Sequence, residues 1–154
     1  MYQVRTPGYS SQDQIMRWAL PDRVFFACGA CHILAHAFLE RHGAPEHGVT
    51  WLKPTAGYIG NHIIVGTADW VFDFHGYSRR GAFFDHAWKR GRRLWPGWDA
   101  TLVPLPPDVL ISGMRSRQFD SRLKLREPGQ FLYDALPRAR RYLDRFPAPG
   151  GIVM

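Results

Sequence analysis

The sequence predicts an α+β fold in which one helix packs on a small antiparallel β-sheet. Apolar residues recur at helical spacing through residues 30–42, which indicates an amphipathic helix. Two apolar runs, at 62–66 and 69–74, are separated by a tight turn and are typical of a β-hairpin. A third apolar run at 100–105 predicts a further strand, because two prolines follow it directly and end it.

The other elements follow in chain order from the same rules. The helix at 30–42 ends at Gly43, since glycine is a common C-terminal stop. A strand is predicted at 49–52, before a glycine-rich loop that leads into the hairpin. After the hairpin, residues 75–81 are predicted to form a loop and residues 82–90 a short amphipathic helix.

The length and composition indicate one domain, spanning residues 1–154. Of the 154 residues, 45% are hydrophobic and 21% are charged, which is the balance of a globular chain that buries a core without disulfides. We divide the chain into a core at about 24–105 and a basic, helical C-terminal extension at about 106–154. No internal repeat, low-complexity segment or long linker separates the two parts.

The chain is basic, with a formal net charge of +7 and a pI near 9.9. Such a balance favours anionic partners, but nucleic acid is not expected, because no run reaches five like charges. The stretch 79–98 is rich in arginine and aromatic residues, which would allow phosphate binding or base stacking. Its simpler interpretation is a helix and a loop with these side chains packed inward: Phe83, Phe84, Trp88, Leu94 and Trp95.

The two cysteines, Cys28 and Cys31, lie three residues apart. A pair this close is a poor disulfide framework for a whole domain, so a reducing compartment or a reactive thiol is expected. Residues 1–20 contain no apolar signal core, and no run of 18 apolar residues occurs. The sequence therefore predicts a cytoplasmic protein without a membrane span.

Cys31 stands where the helix at 30–42 begins, two residues after Gly29. A helix N-terminus carries partial positive charge and free N–H groups. That setting stabilises a thiolate, the nucleophilic form of cysteine, and the same N–H groups hold a developing oxyanion. Because Cys31 shares the apolar stripe with Leu34 and Phe38, its thiol is expected to face the sheet and not solvent.

The hairpin predicts partners for that thiol. With a turn centred on Thr67 and Ala68, His62 lies directly opposite Asp73, and opposed residues share one face of a sheet. A carboxylate in that position orients an imidazole and stabilises its charged form. A slip of one residue would place the two on opposite faces. The interpretation without catalysis is a buried pair in which the two side chains satisfy each other.

The run Cys-Gly-Ala-Cys-His at 28–32 resembles the Cys-Gly-Ser-Cys-Trp segment of papain-like proteases, in which the second cysteine is catalytic. The run 61–65 is similar to the strand that carries their histidine, and 70–73 resembles the strand that ends in their third residue. Transglutaminase-like enzymes use Asp in that third place. The resemblance covers residues 24–76 and implies a papain-like or transglutaminase-like core. It assigns the catalytic roles to Cys31, His62 and Asp73.

The reaction that the resemblance implies is acyl transfer from a peptide or protein amide through a thioester, without a cofactor or metal. Water as the acceptor gives a peptidase, amidase or deamidase, whereas an amine gives a transglutaminase. A different class of function is a non-catalytic binding module that uses the basic aromatic surface at 79–98. The oxyanion-hole glutamine of papain has no evident counterpart, because Gln12 and Gln14 lie far from Cys31 along the chain.

Three alternatives use the same cysteines. Peptidases that cut double-glycine leaders open their helix with a Cys-Gly pair, which would make Cys28 the nucleophile. Cys28-x-x-Cys31-His32 is also the attachment motif for c-type haem, and Cys28, Cys31, His32 and His36 would make a zinc ligand set. Against zinc, His32, His36 and Glu40 share a helical stripe that we interpret as a solvated face. Four further polar residues are expected at the surface: Asp69, His75, Asp85 and His86.

Overall fold

The computed structural model describes residues 2–151 and has the α+β fold that the sequence predicts. Within these residues, six α-helices accompany one five-stranded antiparallel sheet with the strand order β4-β3-β2-β1-β5. The strands are β1 (Gly48–Pro54), β2 (His62–Gly66), β3 (Trp70–Asp73), β4 (Gly76–Arg79) and β5 (Ala100–Leu105). The helices are α1 (Gln14–Trp18), α2 (Asp22–Ala27), α3 (Cys31–His42), α4 (Arg80–Leu94), α5 (Gly113–Phe119) and α6 (Ala135–Leu143).

The two faces of the sheet are covered by different helices. Helix α3 packs on one face, where the rings of Phe38 and Phe72 stack with centroids 4.7 Å apart. Helix α4 packs on the other face, where Phe83 and Trp98 join the apolar side chains of the strands. Because strand side chains alternate between faces, neighbouring residues of β2 and β3 contribute to both layers. The sheet is therefore buried on both sides at its centre.

The predicted register of the β2–β3 hairpin was wrong by two residues. Val65 pairs with Phe72, so the turn spans residues 67–70 and is longer than the two-residue turn that was predicted. A shift of two residues leaves every side chain on its predicted face, because the strand period is two. His62 and Asp73 therefore still share a face, as diagonal neighbours and not as a directly opposed pair.

Hydrogen bonds within the turn explain the longer loop. The Thr67 amide donates to the carbonyl oxygen of Trp70 at 2.9 Å and closes the turn. The Thr67 hydroxyl oxygen accepts from the amides of Asp69 at 3.1 Å and Trp70 at 3.3 Å. A threonine at the first position of a loop stabilises turns in this way. This local chemistry sets the register, and the apolar pattern of the strands does not distinguish between registers two residues apart.

The segment after the hairpin is more ordered than predicted. Residues 76–79 form strand β4 at the sheet edge and not a loop, and α4 extends beyond the predicted 82–90 at both ends. The inward packing predicted for the basic aromatic stretch is confirmed for its rings, of which Phe83 is buried and Phe84, Trp88 and Trp95 pack against the α4 side of the core. Leu94 is half-buried. These aromatic rings thus pack against the protein's own core.

The C-terminal extension covers the outer side of α3. Helix α6 packs along α3, and Arg140 pairs with Glu40 at 2.8 Å. The prediction of a solvated stripe on α3 was wrong at His32, which is 3% exposed and whose Nε2 lies 2.6 Å from the carbonyl oxygen of Arg126. His36 stays partly exposed and lies 4.0 Å from Glu40. The reason is tertiary, since the covering chain comes from a distant part of the sequence.

Candidate active site

Strands β2 and β3 bring His62 and Asp73 together inside the protein. His62 Nε2 donates to Asp73 Oδ2 at 2.9 Å, and the two side chains are 1% and 2% exposed. Burial alone would raise the pKa of Asp73, but hydrogen bonds and charge from His62 and His75 hold it well below its usual range. The carboxylate is therefore ionised and acts as the acceptor in this pair.

His75 is exposed at the surface, as predicted, and is also a second neighbour of that carboxylate. Its backbone amide donates to Asp73 Oδ1 at 2.9 Å, and its Nδ1 lies 3.3 Å from the same oxygen. The His75 side chain is 37% exposed. The spacing Asp73-x-His75 at the end of a strand is the signal that indicates this contact, because Asp bonds the backbone two residues on.

Cys31 is the first residue of α3, as predicted. The chain enters the helix through Gly29, whose φ of +102° favours glycine. The N–H of Cys31 has no carbonyl partner within the helix because it belongs to the first turn. The half-buried thiol lines the same cleft as His62. The structure thus brings all three predicted residues, Cys31, His62 and Asp73, into one cluster.

The thiol and the imidazole affect each other's ionisation. Burial raises the pKa of Cys31, but the neighbouring imidazoles of His32 and His62 outweigh it and lower the pKa to about 5. Burial lowers the pKa of His62, but Asp73 and Cys31 outweigh it and raise the pKa. At neutral pH the favoured state is therefore a thiolate beside an imidazolium. Among the described residues, His62 Nδ1 has no hydrogen-bond partner, so this is the atom left for Cys31.

Cys28 differs from Cys31 in its position on its helix and in the pKa of its thiol, both of which affect nucleophilic reactivity. It stands at the C-terminal end of α2, and its sulfur lies 3.8 Å from the carbonyl oxygen of Tyr2. Burial and the neighbouring Cys31 raise the pKa of Cys28 to about 11. Its environment disfavours a thiolate. The geometry therefore favours Cys31 over the alternative nucleophile.

The residues of the haem and zinc alternatives are dispersed around α3. Cys28 and Cys31 are both free thiols. His32 is engaged with a backbone carbonyl, and His36 lines a different depression beside Glu40. Within residues 2–151, no group of three His, Cys, Asp or Glu side chains is arranged to hold a metal ion.

Asn61 lines the cleft, and the sequence predicts no role for it. Trp51 Nε1 donates to Asn61 Oδ1 at 2.9 Å. Because an indole N–H only donates, the amide of Asn61 must present its oxygen to Trp51. Its nitrogen, Nδ2, therefore faces away from the indole. Asn61 is exposed and lines the cleft together with Cys31 and His62. The sequence signal is its position directly before the histidine.

The cleft has a volume of about 340 Å³ and runs between the start of α3, the start of β2 and the segment 122–126. Cys31, His62 and Asn61 contribute the groups that can act on a carbonyl, and Trp51 forms part of the wall. The candidate site is thus a surface cleft that reaches the buried His62, whose ring Asp73 holds through Nε2.

None of the helices within residues 2–151 combines the length and apolar character that a membrane-spanning segment needs.

Comparison with known proteins adds no family to this description. No protein-family model matches the chain, and neither does any curated protein or solved structure. The resemblance to papain-like and transglutaminase-like enzymes therefore remains a hypothesis, based on short motifs and on the geometry of Cys31, His62 and Asp73.

Proposed function

We propose that this protein is a cysteine-dependent acyl-transfer enzyme that hydrolyses an amide bond through a thioester. One observation carries the proposal: the buried His62 is held by Asp73 through Nε2, while its Nδ1 has no partner among the described residues beside a thiol of lowered pKa. A pair with only a structural role gives no reason for the open nitrogen, because an unsatisfied buried polar atom costs about 1–3 kcal/mol. A base that works on Cys31 needs that nitrogen.

The first half of the proposed reaction forms the thioester. The Cys31 thiolate attacks the amide carbonyl carbon, and the new C–S bond converts the carbonyl oxygen into an oxyanion. The Cys31 N–H and Asn61 Nδ2 are the donors available to that oxyanion. When the tetrahedral intermediate collapses, the C–N bond breaks, and the His62 imidazolium gives the proton on Nδ1 to the leaving amine.

The second half returns the enzyme to its starting state. Neutral His62 takes a proton from water, the hydroxide attacks the thioester, and the C–S bond breaks to release a carboxylic acid and the Cys31 thiolate. Asp73 orients the ring and stabilises the imidazolium throughout. Asn61 and Lys124 on the cleft wall are exposed, so the cleft is open to water. That supports hydrolysis over transfer to an amine.

The same arrangement supports a papain-like or transglutaminase-like core. The nucleophile opens α3, which packs on an antiparallel sheet, and the base and its orienting carboxylate stand on adjacent strands. The chain order Cys31, His62, Asp73 is that of both families in the resemblance. The basic residues of the C-terminal extension are an addition to this core, because they close the cleft from the side of segment 122–126.

The proposal is tested with 4-nitrophenyl acetate as an activated acyl donor. The wild-type protein should release a burst of 4-nitrophenolate and carry an acetyl group on Cys31 by peptide mass spectrometry. Cys31→Ala should abolish the burst, whereas Cys28→Ala should retain it, since Cys28 has a raised pKa. A burst that survives in Cys31→Ala, or a wild-type protein that never acetylates Cys31, contradicts the proposal.

The pH dependence of alkylation provides a second test. The rate at which iodoacetamide modifies Cys31 should rise with pH through about 5, because the thiol pKa is lowered to about 5 from 9.0. His62→Ala removes one of the two groups that lower this pKa, so the midpoint should move to higher pH. His36→Ala, on the same helix outside the cleft, should leave it unchanged. A wild-type midpoint near 9 would refute the thiolate–imidazolium pair.

A further inference from the structure

One wall of the cleft beside Cys31 is strongly basic. None of the described residues that line the cleft is acidic. Four cationic side chains do line it: Arg17, Arg122, Lys124 and Arg126. Positive charge concentrated on a concave surface raises the local concentration of anions.

Arg17 is buried beside Gly29, and no carboxylate of the described residues pairs with it. Its side chain is 9% exposed. Nε and Nη2 donate to the carbonyl oxygen of Ser11 at 3.3 and 3.0 Å, and Nη1 donates to that of Cys28 at 3.4 Å. These neutral acceptors take three of its five N–H groups and supply no negative charge. A buried charge without a counter-ion is costly, and an anion in the cleft relieves that cost.

Arg126 brings a second guanidinium close to the first. Its Nη1 donates to Gln14 Oε1 at 2.8 Å, and the group lies over the Phe131 ring at 5.5 Å. Burial and then the charge of Arg17 lower the pKa of Arg126. Two neighbouring cations whose described partners are neutral would both be stabilised by an anion in the cleft. Lys124, two residues before Arg126, is exposed on the same wall.

Arg122 does not belong to this group. Its Nη2 donates to the carbonyl oxygen of Pro54 at 2.6 Å, and its backbone amide donates to Asp120 Oδ1 at 2.8 Å. The Asp120 carboxylate is further paired with Lys53 at 2.6 Å. A carboxylate is therefore already present at that end of the cleft, whereas none of the described residues supplies a carboxylate at the end that holds Arg17 and Arg126.

We propose that the substrate carries a carboxylate near its scissile amide and that Arg17, Lys124 and Arg126 bind this carboxylate. The inference rests on the proposed function, because it describes what the Cys31 cleft selects. The carboxylate belongs either to an acidic side chain or to a free α-carboxyl group. Both have the chemistry that a guanidinium pair recognises, and small probes distinguish the two.

The test compares two alkylating agents of the same size at Cys31, anionic iodoacetate and neutral iodoacetamide. The His62 imidazolium attracts iodoacetate in every variant, so the informative quantity is the change in the rate ratio of the two reagents. Lys124→Gln should lower this ratio about threefold and Lys124→Gln/Arg126→Gln about tenfold, the size expected for one and two nearby charges in a solvated cleft. In each of these two variants, the rate ratio of iodoacetate to iodoacetamide should fall at high salt.

The matched control is Lys89→Gln, which removes one charge from an exposed position on α4 that does not line the cleft. Its ratio should equal that of the wild type. If Lys124→Gln and Lys89→Gln give the same ratio, the carboxylate site is refuted while the proposed function stands, because iodoacetamide still reports a reactive Cys31. An inert Cys31 with both reagents refutes the proposed function itself.

Protection of Cys31 from iodoacetamide identifies the source of the carboxylate. N-acetylglycine offers only an α-carboxylate, N-acetylglutamic acid α-amide offers only a side-chain carboxylate, and N-acetylglutamine amide is neutral. One of the two anions should slow alkylation more than the neutral compound does, and the effect should weaken in Lys124→Gln/Arg126→Gln. Equal protection by all three compounds, or none by any, contradicts the proposal.

Discussion

The Asn61 side chain shows how a single contact prepares a residue for a role in the site. Trp51 is fully buried in the sheet, and its indole N–H holds Asn61 Oδ1 at 2.9 Å. The amide nitrogen is thereby directed away from the indole at a cleft position that also holds Cys31. An oriented donor acts on a developing oxyanion without reorganisation at the moment of reaction. In the proposed mechanism, Asn61 would supply the oxyanion donor for which the sequence offered no glutamine.

Replacing Asn61 should slow acylation and spare alkylation. For Asn61→Ala, we expect the rate of Cys31 acetylation by 4-nitrophenyl acetate to fall about 10²–10³-fold, the usual effect of losing one oxyanion donor. Iodoacetamide reacts by displacement of iodide and forms no oxyanion, so its rate should stay at the wild-type value. Thr55→Ala, an exposed loop residue that does not line the cleft, is the control. Equal losses in both reactions would show that Asn61 is only structural.

At the scale of elements, the junction between α2 and α3 decides where Cys31, the proposed nucleophile, lies. Gly29 has a φ of +102°, and a Cβ at that position would meet the Arg17 guanidinium. Arg17 is in turn tied to the carbonyl oxygens of Ser11 and Cys28. The first turn of α3 is thus placed by a glycine conformation and by a buried arginine together. Neither helix propensity nor the apolar stripe supplies this constraint.

A pair of glycine substitutions separates the two contributions. Gly57 also has positive φ, at +91°, but a Cβ there meets nothing within 4 Å. Gly57→Ala should cost only the conformational strain, about 1–2 kcal/mol, and should leave the alkylation rate of Cys31 unchanged. Gly29→Ala should cost more and slow alkylation, because Arg17 must move. Urea unfolding and iodoacetamide kinetics measure the two effects, and equal losses of stability with equal alkylation rates would contradict this account.

At the scale of the whole molecule, the C-terminal extension fastens the N-terminal helices to the sheet. Arg138 of α6 donates to the carbonyl oxygens of Trp18 at 2.8 Å and Leu20 at 2.7 Å, and it pairs with Asp22 at 2.8 Å. Tyr142 of the same helix donates to the carbonyl oxygen of Phe74 at 2.6 Å. The extension therefore contacts both the N-terminal helices and the end of β3. The basic cleft wall at 122–126 is part of this extension.

Arg138 should be far more important for stability than an arginine in a surface ion pair. Its side chain is 11% exposed. Arg138→Ala leaves two carbonyls without their donor and leaves Asp22 with Arg145 as its remaining partner, so we expect a loss of about 2–4 kcal/mol. Arg115, 53% exposed and paired with Asp108, is the matched control. Arg115→Ala should cost less than about 1 kcal/mol. Comparable losses in urea unfolding would contradict the fastening role.

The alternating side chains of β2 and β3 show what a hydrophobic pattern predicts about a hairpin and what it does not predict. The period of two places His62 and Asp73 on one face in any register that differs by an even number of residues. The apolar run therefore predicted their contact correctly, although the turn was misplaced. The missing information was the energy of the four-residue turn at Thr67, which depends on side-chain hydrogen bonds and leaves no trace in hydrophobic periodicity.

The sequence by itself determined the α+β class, the start of α3 at Cys31 and the shared face of His62 and Asp73. Each depends on a local rule, either a helix start or a strand period. Only the tertiary structure decided that Arg126 covers His32, that Trp51 orients Asn61, and that Arg17 faces the segment 122–126. The physical reason is sequence separation: these contacts join residues about ten to more than a hundred positions apart. Such contacts form only when the whole core packs, and no local pattern encodes them.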